Sequence, residues 1–123
     1  MKRLLPFLMI LLCKPGFSQD GSLDTTFGHT GLVTTQFGRG NDLQCMTVQN
    51  DGKILIGGYA ISSNALHGTI IRYNVDGTLD GSFGSGGVDT LSELNYYSIT
   101  SIKINSNGKI VAAIDGYNGY GLL

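Results

Sequence analysis

The sequence predicts an all-β repeat fold. Three observations predict it: a 56-residue internal repeat, glycine concentrated at turn positions, and no helical periodicity in any stretch of ten or more residues after Ser18. The chain has 123 residues, room for one domain. With 41% hydrophobic and 14% charged residues it is apolar enough to fold and too lightly charged for a disordered tail. Its 19 glycines are about twice the roughly 7% of an average chain, and they follow no Gly-X-Y period, which excludes collagen. A formal net charge of −1 excludes the basic footprint of a nucleic-acid binder.

The repeat is read directly from the residues. Asp20-Gly21-Ser22-Leu23-Asp24-Thr25-Thr26-Phe27-Gly28 returns as Asp76-Gly77-Thr78-Leu79-Asp80-Gly81-Ser82-Phe83-Gly84. Asn50-Asp51-Gly52-Lys53-Ile54-Leu55 returns as Ser106-Asn107-Gly108-Lys109-Ile110-Val111 at the same offset of 56. The division that follows is a leader over 1–18, a first unit over 19–75 and a second unit over 76–123.

Taken in order, the strands of the first unit are Gly31 to Gln36, Leu43 to Gln49, Lys53 to Tyr59 and Thr69 to Tyr73. The first and last are rich in β-branched residues, and Lys53 to Tyr59 is the apolar run expected of a strand buried on both faces. Asn50-Asp51-Gly52, Asn107-Gly108 and Asn74-Val75-Asp76-Gly77 are the joints, with glycine supplying the positive φ of a tight turn. Four short antiparallel strands per repeat describe blades of β-propeller type. Such units cannot bury both faces alone, so stacked neighbours make the core. Gly121-Leu122-Leu123 matches the start of Thr69-Ile70-Ile71, so the second unit reads as truncated and the ring as incomplete. Open strand edges then favour self-association.

The leader is a secretory signal peptide by pattern. Lys2 and Arg3 precede an apolar run from Leu4 to Cys13, and Gly16-Phe17-Ser18 is a small-residue exit that places Gln19 at the mature N-terminus. The run is shorter than the roughly 20 residues a membrane span needs, so no transmembrane span is expected in the mature chain. The other readings are an uncleaved anchor and a lipoprotein acylated at Cys13, although Leu12 stands where a lipobox has a small residue. Without Lys2, Arg3 and Lys14 the remainder carries five basic and nine acidic residues, a net −4 that says little about partners. Cys45 is then alone, so no intrachain disulfide is expected, and it reads as a small buried hydrophobe.

Three linked motifs carry a resemblance. They are Leu79-Asp80-Gly81-Ser82-Phe83-Gly84-Ser85-Gly86-Gly87, Gln49-Asn50-Asp51-Gly52-Lys53-Ile54-Leu55-Ile56-Gly57-Gly58, and Ile71-Arg72-Tyr73-Asn74-Val75-Asp76-Gly77-Thr78-Leu79-Asp80. In this order they resemble the delta-60 repeat proteins, secreted or surface-associated bacterial proteins of the β-propeller class. The resemblance implies fold and location. It implies no reaction, since that family has no established activity. The second copy departs from the pattern with Ala112-Ala113-Ile114-Asp115 in place of Ile56-Gly57-Gly58-Tyr59.

Candidate chemistry is sparse. Asp20, Asp24, Asp76 and Asp80 recur in register. Asn74-x-Asp76-Gly77-x-x-Asp80 faintly resembles a calcium loop, but the EF-hand pattern needs a Glu where Ser85 stands. The reading adopted is structural: Asp and Asn side chains holding turns. Phe27 and Phe83 are expected to pack between blades. His29 and His67 do not recur and have no metal-spaced partners. Ser22, Ser82 and Ser85 lack a nucleophile elbow, and the Gly81 to Gly87 run lacks the Lys and helix of a phosphate loop. Tyr96, Tyr97, Tyr117 and Tyr120 are the aromatics that could face a sugar or a protein, with strand packing the plainer role.

No catalytic, cofactor-binding or metal residue is therefore assigned, and no cofactor is expected. The expected function is a secreted or cell-surface propeller module that binds a protein or glycan through its blade loops without catalysis. The alternatives are a fragment of a propeller-based secreted enzyme whose catalytic residues lie in other blades, and a non-functional remnant.

Overall fold

A computed structural model of the chain describes residues 21–36, 39–62, 64–116 and 119–123. The leader with Cys13, Asp20 and Tyr117, and the side chain of Tyr120, lie outside the described residues. The described part is all-β. A four-stranded antiparallel sheet has the order β1 (Asn41–Val48), β2 (Ile54–Ser62), β3 (Ala65–Tyr73), β4 (Val88–Asn95). A three-stranded antiparallel sheet follows, β5 (Tyr97–Ile104), β6 (Ile110–Gly116), β7 (Gly119–Leu122). One turn of 3-10 helix at Phe27–His29 is the helical content of the described residues. None of their helices is long and apolar enough to cross a membrane.

The hairpin turns sit where local chemistry puts them. Gly52, Gly77 and Gly108 have φ of 83°, 84° and 74°, a region L side chains rarely adopt. Asp51 Oδ1 accepts from the Lys53 amide at 3.1 Å, and Asn105 Oδ1 accepts from the amides of Asn107 and Lys109 at 2.9 Å each. The same β-bulge occurs at equivalent places, between Leu43 and Cys45 against β2 and between Ile99 and Ser101 against β6. A repeat in sequence has become a repeat in backbone shape.

The sheets are out of phase with the sequence repeat. The first sheet takes its fourth strand, β4, from beyond position 76. β4 is the counterpart of the stretch after Gly31, which the sequence predicts to be a strand. Residues 32–36 form none. β4 occupies the outer edge of β3 through Thr69↔Thr90, Ile70↔Asp89 and Ile71↔Val88, so the place beside β3 is filled from the second unit and not from the earlier segment. It lies instead over the outward face of the first sheet, where the Tyr73 hydroxyl donates to Thr35 Oγ1 at 2.7 Å.

The core is the contact between the two sheets. β5 packs across β1, β2 and β3. Leu55 and Ile99, both 0% exposed, lie at its centre with Ile70, Ile102, Ala112 and Ile114. Gly57 permits the close approach: a Cβ there would lie 2.7 Å from both Ile99 Cγ2 and Ile102 Cδ1. Its counterpart Ala113 keeps its methyl on the face of β6 that turns away from the first sheet, opposite buried Ala112 and Ile114. This accounts for one of the departures in the second copy.

Phe83 packs against this core, as expected of an aromatic between blades. Cys45 is half-buried against it, with Sγ 3.7 Å from the Gly57 carbonyl oxygen and 3.6 Å from that of Ile99. Burial pushes its thiol pKa up, which opposes reactivity. Leu55→Ala should destabilise the fold by about 2–5 kcal/mol, whereas Met46→Ala on the exposed face should cost less than about 0.5 kcal/mol. Urea titrations followed by circular dichroism check both values.

Candidate functional site

Every aspartate singled out in the described sequence does turn work. Asp24 Oδ1 accepts from the Thr26 amide at 2.9 Å and the Thr26 hydroxyl at 2.6 Å. Asp76 Oδ1 accepts the same pair from Thr78, at 2.9 Å and 2.7 Å. Asp80 Oδ1 accepts from the Ser82 amide and hydroxyl at 3.1 Å and 2.6 Å. Each carboxylate closes a short loop on the residue two further on, the geometry of an Asx turn. These hydrogen bonds hold the pKa of Asp24 and of Asp76 below the ordinary carboxylate value.

Asp80 has a second role. It is 5% exposed, and its Oδ2 meets Lys53 Nζ at 2.8 Å and Arg72 Nε at 2.7 Å. Arg72 also donates to Ser82 Oγ at 3.2 Å and stacks 4.6 Å above the centroid of Phe83. The start of β2, the end of β3 and the following loop are thereby tied at one carboxylate. The Lys53 bond, then the Ser82 hydroxyl and the remaining partners, depress the Asp80 pKa far below its usual range. In the sequence Lys53 and Arg72 are motif residues with no evident role. Their convergence joins positions 27 and 8 residues away from Asp80, which spacing alone does not show.

Among the surface recesses of the described residues, two bear on binding. One lies between the equivalent turns β1–β2 and β5–β6, a cleft of about 210 Å³ lined by Gln49, Asn50, Asp51, Ile104 and Gly108. Gln49 Oε1 itself is buried, without a hydrogen-bond partner among the described residues. The other is an apolar groove of about 150 Å³ on the outward face of the first sheet, where Phe27 and Val33 lie over Ile54, Ile56, Ile71 and Tyr73. Phe27 thus occupies the counterpart of the place Phe83 takes between the sheets.

The other candidates are dispersed. His29 is exposed at the 3-10 turn, whereas His67 is buried on β3 with Nδ1 unpartnered among the described residues. Its burial was not visible in the sequence, where it interrupts no pattern. Tyr96 is 57% exposed, while Tyr97 packs against the core. Ser22, Ser82 and Ser85 are exposed, and the described residues contain no group of three or more His, Cys, Asp or Glu able to hold a metal ion.

The depressed pKa of Asp80 sets a sign for pH dependence. A carboxylate with a lowered folded-state pKa contributes stability that is complete above its unfolded value of about 3.9 and is lost as pH falls toward the folded value. Asp80→Asn should therefore melt below wild type at neutral pH, and the gap should close below about pH 4. Thermal melts of both proteins from neutral to acid pH test this, and Asp24 and Asp76 cancel because both proteins keep them.

Comparison with known proteins agrees with this geometry over one part of the chain. No curated protein and no solved structure matches it. Residues 49–83 match the family model described as a domain of unknown function (DUF5122) beta-propeller. The match runs from the β1–β2 turn through β2, β3 and the Asp80 loop to Phe83, the elements joined by the Lys53–Asp80–Arg72 cluster. It supports a propeller-type repeat, and the all-β sheets fit two blades of a partial propeller.

Proposed function

We propose that the chain is an exported, non-catalytic binding module of the delta-60 repeat type, displayed outside the cell or at its surface. The carrying observation is the cleft between the two equivalent turns, which the polar side chains of Gln49, Asn50 and Asp51 line. Side-chain amides and a carboxylate at one rim can donate to and accept from the hydroxyl groups of a ligand. The carboxylates that could serve catalysis have hydrogen bonds that close turns. A polar ligand rich in hydroxyls, such as an envelope glycan, has the donors this cleft can use.

Two experiments test the reading. The exported protein should begin at Gln19 on N-terminal sequencing, and a reporter fused after residue 18 should leave the cytoplasm. An intact leader on a cytoplasmic product removes the export half. The purified chain should bind a glycan array or an intact cell surface saturably, and Gln49→Leu should weaken that binding at least fivefold with an unchanged melt. Absence of saturable binding on either surface removes the binding half.

A further inference from the structure

The segment between the 3-10 turn and β1 changes character along its length. Its first part is apolar, and Phe27 and Val33 roof the groove over Ile56, Ile71 and Tyr73. Its last part is polar. Thr35, Gln36, Arg39 and Gly40 line a recess of about 320 Å³ together with Asn41, the first residue of β1. Thr35 and Asn41 line both the groove and the recess, so the two adjoin. Both walls of the groove belong to this chain, the segment on one side and the first sheet on the other.

Two contacts hold the segment in place. The Tyr73 hydroxyl donates to Thr35 Oγ1 at 2.7 Å. Nearer β1, the Arg39 amide donates to the Ile61 carbonyl oxygen at 3.3 Å, and the Ile61 amide donates to that of Gly40 at 2.8 Å. Because Thr35 Oγ1 accepts from Tyr73, its own proton is left for another acceptor, and it has none among the described residues. Arg39 is also without an acidic partner there, since both ion pairs of the described residues are made to Asp80. Asp42, the nearest acid in the sequence, lies on the opposite face of β1 from Asn41 by strand alternation.

This pairing of groove and recess selects a ligand. The groove has a volume of about 150 Å³. An apolar cavity of about that volume, lined by aliphatic and aromatic side chains, takes up a benzene ring. Beside it, a guanidinium and a hydroxyl present N–H and O–H donors suited to the two oxygens of a carboxylate. A phosphate monoester carries a charge of about −1.5 to −2, which Arg39 alone does not balance.

We infer that the outward face of the first sheet binds a small aromatic carboxylate. The ring lies in the groove under Phe27 and Val33. The carboxylate lies in the recess against Arg39, and Thr35, at the boundary, donates its hydroxyl to a carboxylate oxygen. This site is at the start of β1, whereas the cleft lined by Gln49 lies past the end of β1. The inference therefore does not depend on the ligand-binding reading above.

The test is a titration of the purified, nitrogen-labelled chain with hydrocinnamate, followed by its amide resonances. The amides of Val33, Thr35, Arg39 and Asn41 should shift saturably, with a Kd on the order of 1 mM or tighter for so small a molecule. Phenethyl alcohol keeps the ring and lacks the charge, and acetate keeps the charge and lacks the ring. Each should bind at least about fivefold more weakly, the scale of a partly exposed ion pair. Arg39→Gln should weaken hydrocinnamate by the same factor and leave phenethyl alcohol unchanged, with an unaltered melt. Val33→Asn should weaken both ligands alike. Absence of saturable shifts with hydrocinnamate overturns the inference, as do shifts confined to residues away from the groove and the recess. So does an Arg39→Gln variant that binds hydrocinnamate as wild type does, or octanoate binding more tightly than hydrocinnamate. Failure of glycan or cell-surface binding leaves these titrations unaffected.

Discussion

The contact of Leu55 with Ile99 across the two sheets is the constraint on which the rest depends. A single antiparallel sheet of this size leaves both faces wet, and its hairpins alone are marginal in water. Stacking removes one face of each sheet from solvent, at about 25 cal/mol per Å² of apolar area. The stacking distance is set at Gly57, whose missing Cβ admits Ile99 and Ile102. Any residue with a Cβ there meets two branched side chains at 2.7 Å and forces one sheet away from the other. The glycine is thus a packing requirement in a strand, where glycine otherwise weakens the ladder.

The Asp80 cluster serves that contact. The link from β3 to β4 must leave one sheet, deliver Phe83 to the inter-sheet space and return to the edge of β3. Left to itself such a loop would keep the entropy of an unconstrained connection. Asp80 fixes it from two sides: Oδ1 shapes the local turn through Ser82, and Oδ2 binds Lys53 just before β2 and Arg72 on β3. Arg72 then lies over the Phe83 ring and holds the aromatic against the core. The pair of cations compensates the burial of the carboxylate, which would be unfavourable if unpaired.

What was legible in the sequence was local or periodic. The turns at Gly52, Gly77 and Gly108 and the Asx bonds of Asp24, Asp76 and Asp80 rest on residues within four positions of one another. The phase of the sheets was not legible. The stretch after Gly31 and the stretch after Gly87 look alike, and which one reaches the edge of β3 depends on chain connectivity in space. The candidate cleft was invisible for a related reason. Gln49 and Gly108 come together only when the two sheets stack, and the motifs that contain them mark turns, not a shared cleft. The exposure of Met46 was illegible in the same way: hydrophobic pattern states which face a side chain is on, and the neighbouring sheet decides whether that face is covered.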